Sequence, residues 1–235
     1  GVTIATAGVN VVLRGLSING QGGNNGINMT AGNKLTVENC VISNLTQFGI
    51  SVNTAATVRV TDSIVRDNGS VGIYLQNGVK ATITRAVVSG NVNLGIYLYG
   101  NTPSTSTVDI ADSTVDGNSD GILEFSNINT AILKLSVRDS RIVRNSSVGL
   151  AAVTNAGGAA NLANLYASNN MVSNNGQGIN VSNAGAKLIS SGNTVTGNTG
   201  AGFYNAGGVF VSAGNNTVYD NGSADFGTIT AVGTK

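Results

Sequence analysis

The sequence predicts an all-β solenoid, a stack of about eight or nine rungs with three short strands in each. Three observations carry that expectation. A Gly-aliphatic pair recurs as Gly26-Ile27, Gly49-Ile50, Gly72-Ile73 and Gly95-Ile96, each 23 residues after the last. It continues with wider or shifted spacing as Gly121-Ile122, Gly149-Leu150, Gly178-Ile179 and Gly202-Phe203. The second observation is an aliphatic residue with asparagine three positions later: Val65/Asn68, Val88/Asn91, Val115/Asn118, Ile142/Asn145, Val172/Asn175, Val195/Asn198 and Val218/Asn221. The third is composition. Glycine and asparagine each number 33 of 235 residues, and charged residues make up only 10%, against about 25% in an ordinary globular domain. A fixed period within about 20–50 residues marks a repeat architecture. Abundant Val, Ile and Thr between turn formers mark strands rather than disorder.

Each part of the unit has its own reason. Leu35 and Val37 alternate with polar neighbours, Cys40 and Ile42 form the next apolar pair, and Ile50 and Val52 the third. Period-two alternation in short pieces separated by Gly and Asn predicts short strands joined by tight turns. One such rung cannot bury its inward face alone. Stacking at roughly 4.8 Å merges those faces into one core. The aliphatic anchors from Ile18 and Ile42 through Val218 imply a rod of roughly 40 Å. The repeat spans nearly the whole chain, so residues 1–235 are read as a single domain.

The unit L-x-V-x-N/D-x-x-I/V-x-x-N followed by G-I-x-L, as in Val58-Arg59-Val60-Thr61-Asp62-Ser63-Ile64-Val65-Arg66-Asp67-Asn68, resembles the repeat of right-handed parallel β-helix proteins in the pectate-lyase-like superfamily. The resemblance implies a right-handed coil and an extracytoplasmic or secreted location. For activity it is nearly silent, because the repeat consists of core and turn positions. The superfamily includes polysaccharide lyases, hydrolases, epimerases, phage tailspikes and many secreted proteins without known activity. The given residues include no signal peptide, since Gly1 leads directly into the strand-like run Val2-Thr3-Ile4, a start equally expected of a chain whose leader was cleaved, trimmed or never present.

Two polar columns are read as structural. Asn68, Asn91, Asn118, Asn145, Asn175, Asn198 and Asn221 form a ladder. Asparagine tolerates left-handed turn geometry, and its amide bonds to turn backbone and to neighbours above and below. The column Asn39, Asp62, Arg85, Asp112, Asp139, Asn169, Gly192 and Asn215 has the composition of a solvated turn with a local ion pair. Isolated Thr-x-Thr pairs at Thr82-Ile83-Thr84 and Thr228-Ile229-Thr230 lack the register of an ice-binding face.

Where the rungs deviate, a functional corner is expected. The step from the Gly-Ile strand to the next core strand is eight residues in the early rungs, then 12, 13 and 15, before returning to nine and eight. The longer loops, 99–107, 126–134 and 154–164, are expected to form one lobe on a rigid scaffold. Beside it, Tyr74 and Tyr97 point outward between inward aliphatic residues. Counting six residues from Asn118 puts Glu124 outside above Tyr97, with Tyr99 and Asp109 at the same edge. Stacked tyrosines next to a carboxylate suit a sugar, whose C–H faces pack on aromatic rings while hydroxyls bond to the acid.

The leading expectation is a non-catalytic glycan-binding or surface scaffold, with a polysaccharide or cell-envelope glycan, preferably neutral, as ligand. One alternative is a lyase or glycoside hydrolase at the same corner, with Glu124 and Asp109 as its acids and Lys134 on the loop side; hydrolysis needs two carboxyls about 5–10 Å apart. Another is a structural or adhesive piece of a larger surface protein. Other classes are excluded. Cys40 is alone and histidine is absent, so there is no intrachain disulfide, no Ser-His-Asp triad and no thiolate or imidazole metal site. No cofactor or metal is expected. Twelve basic against eleven acidic residues argue against nucleic acid, which needs a concentrated basic face. No apolar run approaches the roughly 20 residues of a spanning helix.

Overall fold

A computed structural model describes residues 1–155 and 162–233 and shows a parallel β-solenoid of about nine turns. The chain passes repeatedly through three sheets. Sheet A, of nine strands, holds the Gly-Ile segments such as Val71–Gln76; sheet B, of ten, holds the L-x-V segments such as Lys80–Thr84; sheet C, of nine, holds three-residue strands such as Val87–Ser89. Successive strands within each sheet pair in parallel and in register. Their inward side chains form one continuous core, in which Ile27, Ile50, Ile73, Leu75, Ile83, Ile96 and Ile110 are among the largest fully buried groups.

The corner between sheets C and A explains the two sequence anchors together. Asn68 Nδ2 donates to Asn91 Oδ1 at 2.8 Å, Asn91 to Asn118 at 2.9 Å, Asn118 to Asn145 at 3.1 Å, and so on to Asn198 and Asn221 at 2.8 Å. Each Oδ1 also accepts a backbone N–H of the preceding rung, from Leu45 to Asn68 at 3.2 Å and thereafter from the preceding asparagine, as from Asn118 to Asn145 at 3.0 Å. The amides are buried and satisfy one another, as buried polar groups must. The glycine of each Gly-Ile pair makes room for them. A Cβ on Gly72 would sit 2.8 Å from Asn91 Nδ2 and 2.6 Å from Val88 Cγ1, and Gly95 and Gly121 are as crowded. The left-handed residue at this corner is not the ladder asparagine but the one before it: Asp67, Gly90, Gly117, Arg144, Asn174, Gly197 and Asp220 have φ between 53° and 65°.

The corner between sheets B and C turns on Asn39, Asp62, Arg85, Asp112, Asp139, Asn169 and Gly192, all with φ between 49° and 65°. Arg85 donates from Nε to Asp62 Oδ1 at 2.6 Å, which lowers the Asp62 pKa. Directly after these turns lies a second internal ladder. Ser113 N–H donates to Ser140 Oγ at 3.2 Å, Ser140 to Asn170 Oδ1 at 3.1 Å, Asn170 to Asn193 at 2.9 Å and Asn193 to Asn216 at 2.9 Å.

At the corner between sheets A and B, much of the added length becomes strand rather than a lobe. Strands Leu94–Gly100, Thr105–Ala111, Asp120–Ser126, Ile132–Arg138 and Val148–Thr154 each run seven residues. The connections shrink to 101–104 and 127–131, and residues 156–161 of the third loop lie outside the described residues. The extension buries Ser106, Ser126, Thr154, Ala131 and Leu133 and widens the core on this side.

Inside that widened section the structure corrects the expected position of Glu124. Ile122 pairs with Ile96 and Glu124 with Leu98, so Glu124 continues the inward column Met29, Val52, Leu75, Leu98 and is followed by Ala152 and Val181. It is fully buried. Gly121 follows Asn118 by three positions, whereas Gly95 follows Asn91 by four. Because the glycine must face the ladder, register follows Gly121 rather than Asn118, and the side chain expected outside turns inward. Neither carboxyl oxygen has a hydrogen-bond partner of ordinary geometry among the described residues. Burial pushes its pKa up to about 8, with the Asn164 backbone offsetting this in part. Asn164 contributes too little to leave the charged form comfortable, since a buried carboxylate needs several strong donors.

Two stability measurements follow. Asn145→Ala strands the Asn118 N–H inside the core, and denaturant unfolding is expected to show a loss of about 3 kcal/mol; Asp139→Gly, at an exposed left-handed turn, should change stability by less than about 0.5 kcal/mol. Folded Glu124 keeps its proton to about pH 8, whereas the unfolded chain releases it near the ordinary value of 4.5. Stability from this group is therefore present at low pH, declines through that window, and is lower by about 5 kcal/mol once pH exceeds the folded pKa. Glu124→Leu should flatten this component of the pH dependence; an unaltered slope in that variant would contradict the assignment.

Candidate functional site

The outward face of sheet A carries the chain's main aromatic surface. Alternation along Leu94–Gly100 sends Ile96 and Leu98 inward and leaves Tyr97 and Tyr99 half-buried on the outside. In-register pairing sets Tyr74 beside Tyr97, and Tyr99 between Gln76 and Phe125. The rings form a connected strip: Phe48 to Tyr74 at 5.1 Å, Tyr74 to Tyr97 at 5.4 Å, Tyr97 to Tyr99 at 5.4 Å and Tyr99 to Phe125 at 5.9 Å between centroids. Leu123, opposite Tyr97 on the next rung, extends its apolar surface.

The phenols of Tyr74 and Tyr97 stay neutral at ordinary pH. Burial, with a smaller contribution from Tyr99, pushes Tyr74 up to about 12, and burial raises Tyr97 as well. Tyr74 Oη donates to Gln76 Oε1 at 3.1 Å. The strip therefore presents apolar ring faces edged by hydroxyl and amide groups, an arrangement suited to a flat ligand with C–H faces and hydroxyl rims.

Of the five residues expected to form a site, the structure brings together Tyr74, Tyr97 and Tyr99. Glu124 lies beneath them in the core, and Asp109 is exposed on sheet B, in the strand Thr105–Ala111. A carboxyl inside the core and another outside a different sheet cannot flank one sugar bond in this conformation. Sequence reasoning missed Phe48 and Phe125. Their signal was the Gly-Ile register: Phe48 immediately precedes Gly49, and Phe125 stands three residues after Ile122, as Tyr99 does after Ile96.

Among the described residues there is no group of three or more His, Cys, Asp or Glu side chains placed to hold a metal ion, and no helix is long and apolar enough to cross a membrane. No curated protein matches the chain by sequence. Among solved structures, the A-module of the mannuronan C-5 epimerase AlgE4 from Azotobacter vinelandii is similar, with a TM-score of 0.57 and 14% identity over 99% of this chain and 78% of that one. That likeness is one of fold. The family described as right handed beta helix region matches residues 1–164. With its parallel rungs in register along three sheets, the chain belongs to the right-handed β-helix family.

Proposed function

We propose that this protein is a rigid glycan-binding scaffold that holds an extended, neutral polysaccharide or cell-envelope glycan along the aromatic strip of sheet A. The observation that carries this reading is the connected run Phe48, Tyr74, Tyr97, Tyr99 and Phe125 on the outside of a rigid sheet. Neighbouring strands repeat at about 4.8 Å, close to the advance of one pyranose in an extended chain, so successive rings can meet successive sugars. A solved neighbour that acts on mannuronan supports the suitability of the scaffold for glycans. An extracytoplasmic location accords with such a ligand.

A binding role is favoured over glycan cleavage by the separation of Glu124 from Asp109. Glu124 is enclosed, and the half-buried tyrosines of the strip have no carboxylate of the expected pair beside them on the outer face. The test is calorimetry with neutral oligosaccharides on the intact chain. Tyr97→Ala is expected to weaken binding by about tenfold while the unfolding temperature stays within a few degrees, and Tyr97→Phe should retain most of the affinity. Unchanged affinity in Tyr97→Ala would contradict the proposal.

A further inference from the structure

One acid stands in the core, directly behind the aromatic strip. Glu124 is the only Asp, Glu, Lys or Arg buried among the described residues. Its strand, Asp120–Ser126, turns Leu123 and Phe125 to the outer face of sheet A and Glu124 and Ser126 to the interior. Phe125 is the end ring of the strip, 5.9 Å from Tyr99, so the carboxyl lies on the reverse side of the strand that carries that ring. Its column offers Leu98 on one rung and Ala152 on the next, the smallest side chain from Met29 to Val181. Two residues on, the Ser126 hydroxyl donates to Ala131 O at 2.7 Å, with Ile128 O also in reach at 3.2 Å. That one side chain ties down the connection 127–131 at the corner between sheets A and B.

The surroundings supply nothing to hold a charge there. The strands packed most closely on Asp120–Ser126 are Leu94–Gly100, Val148–Thr154, Ile132–Arg138, Ala163–Ser168, Thr114–Asp116 and Arg141–Val143. Their ionisable groups are Tyr97, Tyr99, Lys134, Arg138, Tyr166, Asp116 and Arg141, and none is buried in the core. Asp120, at the head of the strand, accepts the Val148 N–H instead, and 127–131 has no ionisable residue. A carboxylate formed at Glu124 is therefore stabilised only by water, which enters only when packing at the corner gives way. We propose that Glu124 and the Ser126-clasped connection 127–131 form a proton-operated latch behind the Phe125 end of the strip, shut while the carboxyl is protonated and opened locally by its ionisation. In the open form the group titrates near the ordinary 4.5, in the shut form at about 8. Opening thus becomes easier as pH rises between those values, by close to tenfold per unit, and levels off above the higher one, where the shut form is itself ionised. A ligand spanning Tyr99 and Phe125 favours the shut form by mass action; that coupling rests on the reading of the strip as a glycan site, whereas the opening does not.

The test is amide hydrogen exchange on the intact chain between pH 5.5 and 7.5, corrected for the intrinsic pH dependence of exchange, in the wild type, Glu124→Gln and Glu124→Leu. In the wild type, amides of Asp120–Ser126, Ile132–Arg138 and Ala163–Ser168 should lose protection by roughly seventyfold over that range. At pH 7.5 they should exchange at least about tenfold faster than amides of Phe48–Asn53, three rungs away. Both neutral variants should hold their protection constant, and the second serves if the first folds poorly. A saturating neutral oligosaccharide should slow exchange at the corner. If the oligosaccharide does not bind while the pH response stands, the glycan reading fails and the latch is upheld. A flat response in the wild type, the same response in both neutral variants, or equal protection at the corner and at Phe48–Asn53 would overturn the latch. Oligosaccharide that binds without slowing exchange at the corner would overturn its coupling to the strip.

Discussion

At the corner between sheets C and A, an asparagine side chain on each of seven rungs, from Asn68 to Asn221, is bonded to its counterparts above and below. The glycine opposite leaves it the space to do so. A parallel stack could otherwise slip, since one strand of a sheet is much like the next. Slippage here would unpair a buried amide and drive a Cβ or backbone into its place, and a one-residue shift would also turn every core side chain outward. The ladder thus gives the solenoid a single register, and every surface of the molecule inherits it.

With register enforced, each outer face becomes a one-dimensional array with the rung as its unit. A residue chosen at one position of the repeat lines up with its equivalents at intervals of about 4.8 Å. On sheet A this aligns aromatic rings. The turns around sheet C collect acids, because aspartate tolerates the left-handed conformation that those corners require, as Asp62, Asp67, Asp112 and Asp139 show. Extended polymers with a similar repeat are the natural partners of such arrays. The one breach of the core pattern, Glu124, falls where the strands lengthen and the interior widens toward sheet B.

The architecture was legible because its determinants are short and recurrent. Gly-Ile pairs and asparagines at fixed offsets report directly on the crowded corner where both are needed. The site was less legible. Tyr74 and Tyr97 could be placed outward from alternation alone, since their rungs have equal length. Glu124 could not be placed by counting from Asn118, because that turn is one residue shorter and only the glycine's steric requirement shows which anchor governs. Asp109 was assigned to the same edge as Tyr99 because a long loop was expected between them; in the structure the strands extend and place the two on different sheets.

The central claim is that the outer face of sheet A recognises a glycan without cleaving it. The most direct measurement is one titration of the intact chain with neutral polysaccharides, reading tyrosine emission and newly formed sugar ends in the same samples. The sequence contains no tryptophan, and three of its six tyrosines lie in the strip, so the part of the emission change that Tyr97→Ala removes reports on that surface. The account predicts a saturable change in tyrosine emission with no new sugar ends. Release of sugar ends, or saturable binding that leaves the tyrosines unperturbed, would contradict it.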